Sequence, residues 1–222
     1  MTTDAYKSKF HPGIYPSFNV SYGLNYAARQ TERLARMKHM ISTDKKNRLT
    51  GFYEVMQWKE LVDTDHFPRL LDEAEKAGKF IILKINDRVF GSKKYEPPIP
   101  DSVKKIGLHY GANCYSGLVW DKRYVDEQLS FMQKVMAPLD EHPALEQMHW
   151  GETSIDHQST HDEFVTQLIR LWRGCKTSMK HTTVTSHQNF LGGGDGEMAR
   201  LRKIRDVMRL HGGGGVTKSM LR

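Results

Sequence analysis

The stretch Lys79-Phe80-Ile81-Ile82-Leu83-Lys84-Ile85-Asn86-Asp87 is a nearly continuous apolar run that ends in polar residues. A strand with one solvated face alternates apolar and polar positions. A run apolar on both faces is the pattern of a strand buried on both sides, as in a parallel sheet covered by helices. Gly78 stands just before it, where a helix C-cap calls for a positive φ. The helix it would close spans His66 to Ala77, with Phe67, Leu70, Leu71 and Ala74 on one stripe.

Working outward, the same unit repeats. Upstream, Gly51 to Trp58 reads as a strand that breaks into a loop at about Trp58. Residues 25–42 read as a helix, with Leu34, Met37 and Ile41 at three- and four-residue spacing and basic residues between them. Before it, Phe18 and Val20 suit a short first strand, preceded by an irregular lead-in over 1–12. Downstream, a long loop from Arg88 to Trp120-Asp121 carries Pro97, Pro98, Pro100, Gly107 and Gly111. A loop of that length in a compact domain is commonly a lid or a cleft wall. A helix from Tyr124 to Leu139 turns Val125, Leu129, Met132 and Met136 inward. Then come a strand over 145–152, a helix His161–Trp172, a strand Thr182–Asn189, the glycines 192–194, and a helix Glu197–Leu210. His211-Gly212-Gly213-Gly214-Gly215-Val216 would begin a sixth strand.

Regular alternation implies parallel strands joined by right-handed crossovers. An open doubly wound sheet would carry a glycine-rich phosphate turn after its first strand. No GxGxxG or GxxxxGK[ST] occurs, and Gly192–Gly194 follow the fifth strand. The expected fold is therefore α/β: a TIM-type (β/α) barrel, incomplete at five to six units, as one domain over 1–222.

Composition narrows the function classes. Hydrophobic content of 38% and charged content of 27% are ordinary for a globular chain. No apolar run approaches the ~18 residues of a membrane helix. The N-terminus lacks the basic and apolar regions of a signal peptide, so a cytoplasmic location is the expectation. The net charge of +7 raises nucleic acid as a partner. The basic excess, however, lies in Lys7–Lys9, Arg29–Arg48 and Arg200–Arg222, without interleaved aromatics, which disfavours it. Cys114 and Cys175 have no CxxC spacing; a disulfide and two free thiols are equally open. His157 and His161 stand at i, i+4 but lack the glutamate of an HExxH motif, so no metal and no cofactor is expected.

In a parallel α/β protein, chemistry is done where strands give way to loops. Leu145-Glu146-Gln147-Met148-His149-Trp150-Gly151-Glu152 ends in a carboxylate at such a point, making Glu152 the first candidate for acid/base work. Asn86, Arg88, His187 and Asn189 sit at other strand exits and are candidates for hydrogen bonds to substrate. Trp58 and Trp120 are candidates for stacking on sugar rings, whose C–H faces suit aromatic faces. Trp150 reads as buried.

The order of elements resembles a bacterial family of TIM-barrel glycoside hydrolases in the retaining superfamily with two catalytic glutamates. The likeness is carried by Gly51–Leu61, an apolar strand ending in Trp58 and a W-x-x-L turn, and by Gly78 through Arg88-Val89-Phe90. Pro100 and Trp120-Asp121 resemble its long third loop. His142-Pro143 through Glu152-Thr153 resembles its fourth strand, and Asn189-Phe190-Leu191-Gly192-Gly193 the stretch after its fifth. The glycines before Val216 resemble its sixth strand, so the likeness covers roughly residues 13–216.

The resemblance implies Glu152 as acid/base, a β-linked glycan as substrate, and a nucleophile about 5–5.5 Å away. In that superfamily the nucleophile comes from a seventh strand, and this reading finds six. The chain then reads as a barrel truncated at its C-terminus, as one completed by a second copy covering the open edge, or as one using Glu54 or Asp87 as the second carboxylate. A catalytically inactive carbohydrate-binding barrel is the alternative, and a basic nucleic-acid-binding α/β domain the remote one.

Overall fold

A computed structural model describes residues 11–17, 26–62, 65–91, 96–111, 114–150, 152, 161–187, 195–210 and 216–217. Its main sheet contains β1 (Gly51–Gln57), β2 (Phe80–Asn86), β6 (Leu145–His149), β7 (Thr183–His187) and β8 (Val216–Thr217), in that order and all parallel. Helices α3 (His66–Lys76), α5 (Lys122–Phe131), α6 (His161–Ser178) and α7 (Asp195–Leu210) form the successive crossovers, and α1 (Tyr26–Thr43) precedes β1. Each strand pairs with the next strand of the sheet in chain order. This is the path of a (β/α) barrel, and the described strands make an incomplete one.

The expected first strand at Phe18 and Val20 lies outside the described residues. Just before it, Ile14 bridges Leu49 and Ser17 bridges Tyr53, both in parallel sense. The described end of the lead-in thus runs parallel beside β1.

Register sorts the side chains. Val55, Lys84, His149 and Thr185 form one row across β1, β2, β6 and β7; Tyr53, Ile82, Gln147 and Thr183 form another. The alternate positions, Phe52, Met56, Ile81, Leu83, Ile85, Met148 and Val184, are buried in the hydrophobic core. The polar rows therefore line the inner face. On that face the rings of Tyr53 and His149 meet edge-on at 5.5 Å across β2.

The ends of α3 follow the sequence. Gly78 has φ 64, its N–H donates to the Glu75 carbonyl, and the Lys79 N–H donates to the Ala74 carbonyl. These two bonds satisfy the last carbonyls of the helix in a Schellman arrangement. Gly51 is required for a different reason: a Cβ there would lie 2.1 Å from the Phe80 carbonyl oxygen on β2.

Four expectations are corrected. Trp58 opens a short helix, α2 (Trp58–Val62), instead of a loop. The stretch after Asn86 is not an irregular loop. It holds β3 (Arg88–Phe90), α4 (Asp101–Lys104), β4 (Leu108–Tyr110) and β5 (Cys114–Gly117), with the strands in an antiparallel sheet ordered β3-β5-β4. The expected single helix to Leu139 becomes α5, one π-helical stretch at Met132–Met136 and a 3-10 turn at Ala137–Leu139. Pro138 has no N–H and cannot continue α-helical bonding there. Finally, α6 runs on past Trp172 to Ser178.

The bottom of the barrel is closed by the lead-in. The register slips between Ile81 and Ile82, leaving Glu146 as the extra residue of a bulge. Glu146 accepts the Tyr15 hydroxyl and, at 2.7 Å, the His11 N–H, while the His11 ring stacks on Phe80 at 3.7 Å. Both cysteines are buried free thiols. Among the described residues no helix is long and apolar enough to cross a membrane.

Candidate active site

At the C-terminal ends of β2 and β6 lies a small cleft of about 10 Å³ lined by Lys84, Asn86, Asp87, His149, Trp150 and Glu152. That is room for about one water molecule, far below the roughly 300–1,000 Å³ of most ligand pockets. Glu152 keeps 11% of its side chain exposed, and the Lys84 Nζ stands 3.5 Å from its Oε2. Lys84 reaches the cleft because its register row points inward. Tyr53, one row lower, has its phenol pushed up to about 12, first by burial and then by the negative charge of Glu152.

His149 is held from below. The Gln147 amide nitrogen is 2.7 Å from His149 Nε2 and 3.0 Å from Thr185 Oγ1. Gln147 and His149 share the inner face of β6 at i and i+2, so one strand sets this spacing.

The rear wall is a second polar knot. Asp87 accepts from Arg88 Nε at 2.8 Å and Nη2 at 3.4 Å, from the Tyr124 hydroxyl at 3.3 Å and from Gln128 Nε2 at 3.4 Å. Burial opposes the charge of Arg88, yet the Asp87 carboxylate outweighs it and holds the guanidinium above its ordinary value. The Tyr124 phenol is raised by burial and by the same carboxylate.

Of the residues singled out in the sequence, the structure brings Glu152, Asn86 and Asp87 together. Arg88 lies behind them, 2% exposed and bonded to Asp87, so it braces the wall and presents nothing to a ligand. Trp58 is a correction: at 1% exposure it packs edge-on against Tyr124, Phe131 and Trp150, because the helix that begins there turns its ring into the core. Trp150 is buried in the same cluster. Trp120 sits half-buried against the His109 ring, 5.2 Å away, and does not line the cleft. The backbone of His187 pairs with Thr217, while its side chain and Asn189 lie outside the described residues.

Glu54 is also corrected. It was expected to face the barrel interior, but it shares parity with Phe52 and Met56 and points toward α1. There Arg33 Nε lies 3.7 Å from Glu54 Oε2, and Arg33 Nη2 lies 3.1 Å from Glu60 Oε2. Arg29 Nε is 2.8 Å from the other oxygen of Glu60. Burial pushes Glu54 up to about 8 against the pull of Arg33. A carboxylate on the helix side of the sheet cannot serve a cleft on its inner side.

Lys84, His149, Gln147 and Tyr53 were missed. For Lys84 alone the available signal was a polar residue at i−2 from the strand exit Asn86 inside an otherwise apolar strand, which puts it on the face of the exit residue.

Among the described residues, one group of side chains has metal-ligand geometry: Asp72, Glu75 and His142 on the outer surface. There His142 Nδ1 accepts the Ala144 N–H at 3.2 Å, and its Nε2 faces Asp72 at 3.3 Å. The ring proton then belongs on Nε2, leaving that nitrogen no lone pair for a cation.

No protein-family model and no curated protein matches the sequence. Among solved structures, the chain is similar to GH5_18 from Streptomyces cattleya in complex with GlcNAc, at 12% identity and a TM-score of 0.49, over 70% of this chain and 39% of that one. It is similar to a β-galactosidase from Rahnella sp. R3 at 10% identity and a TM-score of 0.49, over 80% and 36%. It is similar to a β-glucosidase from Thermotoga maritima in complex with deoxynojirimycin at 8% identity and a TM-score of 0.45, over 82% and 42%. The chain thus spans less than half the length of each of these proteins.

Proposed function

We propose that the chain acts on a β-linked glycan, with Glu152 as the proton-transferring carboxylate of a retaining glycoside hydrolase. The observation that carries this reading is the position of Glu152, just beyond the end of β6 in a polar cleft at the C-terminal face of the parallel sheet. That face is where barrels of this kind do their chemistry. In the first half-reaction Glu152 would protonate the departing glycosidic oxygen while a second carboxylate, not identified among the described residues, would bond to the anomeric carbon; in the second, as carboxylate, Glu152 would take a proton from the water that displaces that carboxylate. Lys84 orients the carboxylate, and Asn86 and His149 supply hydrogen bonds for sugar hydroxyls.

Asp87 is the other carboxylate that lines the cleft among the described residues. With Arg88, Tyr124 and Gln128 on its oxygens, it suits orientation better than nucleophilic attack. That engagement favours one second reading, a barrel that binds glycans without hydrolysing them. Aryl β-glycosides assayed with wild type and Glu152→Gln decide between the two. Hydrolysis lost in the variant supports the hydrolase; glycan binding without hydrolysis in the wild type supports the binder. Hydrolysis unaffected by the change removes Glu152 from the mechanism.

A further inference from the structure

The ionised groups that line the cleft are matched within its own walls. The Lys84 ammonium stands 3.5 Å from the Glu152 carboxylate. The Asp87 carboxylate is met by the Arg88 guanidinium at 2.8 Å. The remaining titratable side chain in the lining is His149, whose Nε2 faces the Gln147 amide nitrogen at 2.7 Å while that nitrogen also reaches Thr185 Oγ1 at 3.0 Å. An amide nitrogen donates and does not accept. With the Gln147 nitrogen turned toward the ring, its two hydrogens go to Thr185 Oγ1 and to His149 Nε2, which puts the single ring proton on Nδ1. In that orientation the histidine enters the cleft as a neutral ring.

We propose that this cleft selects an uncharged sugar over one bearing a carboxylate or sulfate. The inference deepens the carbohydrate reading and rests on it. An anionic substituent entering here would lose its hydration and find the described cations Lys84 and Arg88 already matched, and an uncompensated buried charge is costly. A hydroxyl loses less on leaving water and recovers it from donors such as Asn86 and His149. Described basic side chains that contribute to the net charge of +7 sit elsewhere. Arg36 and Lys38 are exposed on α1, and Arg202, Lys203 and Arg205 on α7.

The test is an NMR titration of the isotope-labelled chain with β-1,4-linked glucotetraose and mannotetraose and with the C6-oxidised uronate form of each. In the wild type, a neutral tetraose should shift the resonances of Lys84, Asn86 and His149 and bind at least about tenfold more tightly than its uronate. Glu152→Gln removes the charge that balances Lys84, and should narrow the preference for the neutral sugar over its uronate about tenfold. Side-chain nitrogen shifts should show His149 Nε2 without a proton. A wild type that prefers the uronate overturns the inference and leaves the carbohydrate reading standing. So does a His149 protonated at Nε2. A chain that binds none of the four sugars at the cleft removes the carbohydrate reading, and the inference with it.

Discussion

Glu146 and Glu152 lie six positions apart, at opposite ends of one strand. At the bottom, Glu146 is 3% exposed and takes two donors from the lead-in, the Tyr15 hydroxyl and the His11 N–H. At the top, Glu152 is more open, and the long, flexible Lys84 of the neighbouring strand stands 3.5 Å from it. The difference teaches what separates a structural carboxylate from a candidate working one. Short, directional bonds from rigid donors hold a proton acceptor in a single job. A looser ammonium partner beside a cleft leaves the carboxylate able to exchange its proton with a substrate.

The comparison breaks first if the two glutamates respond alike to removal of charge. Glu152→Gln should lower kcat/KM on aryl glycosides by about 10²–10⁴-fold, the usual worth of a general acid–base group, with little change in the urea midpoint. Glu146→Gln should do the reverse. It places amide hydrogens against the His11 N–H and should cost about 1–3 kcal/mol in urea unfolding, with per-molecule activity unchanged.

Glu54 sharpens the contrast with a third kind of site, a carboxylate buried among arginines on the helix side. Its acid form persists in the folded chain up to about 8, against 4.5 in the unfolded one. Between those values the unfolded chain holds fewer protons, so this group makes stability fall as pH rises. His66 works oppositely. Burial, then Arg33 and Arg69, lower it to about 4 from 6.5, so its contribution rises with pH up to 6.5 and is complete above. Between pH 6.5 and 8, Glu54 acts without it. Glu54→Gln should flatten the loss of stability across that window, a difference on the order of 1–2 kcal/mol in urea midpoints measured at its two ends. An unchanged slope would place the charge of that cluster elsewhere. The smallest effect expected is at the cap of α3: Gly78→Ala, at φ 64 with open space around it, should cost about 1 kcal/mol by thermal unfolding.

Much of the barrel was legible because its signals are local and repeated. The apolar run 80–85, the stripe of Phe67, Leu70, Leu71 and Ala74, and the glycine at 78 each report one element and agree with one another. The antiparallel insertion was not legible. Its strands are three or four residues long, too short for alternation to stand out, and Pro97, Pro98 and Gly107 read as loop. Glu54 could have been placed better: with Phe52 and Met56 at i±2 it had to share their buried face. Its partner Arg33 comes from a helix read only by its apolar stripe of Leu34, Met37 and Ile41 with basic residues between, and no spacing in the chain predicts that pairing. Trp58 shows the converse limit, since a strand-exit position says nothing of the helix that starts there. In the site, Asn86, Asp87 and Glu152 were legible as strand exits. Lys84 could have been found from its i−2 spacing to Asn86, whereas His149 was hidden because a register row becomes visible only when the strands are laid side by side.

The most direct test of the role assigned to Glu152 is the dependence of hydrolysis on the leaving group. Aryl β-glycosides spanning phenol to 2,4-dinitrophenol should be compared in wild type and Glu152→Gln. A missing proton donor should slow the phenyl glycoside by about 10²–10⁴-fold and the dinitrophenyl glycoside, whose leaving group needs no proton, by less than about tenfold. Equal loss across the series, or none, would contradict Glu152 as the proton donor.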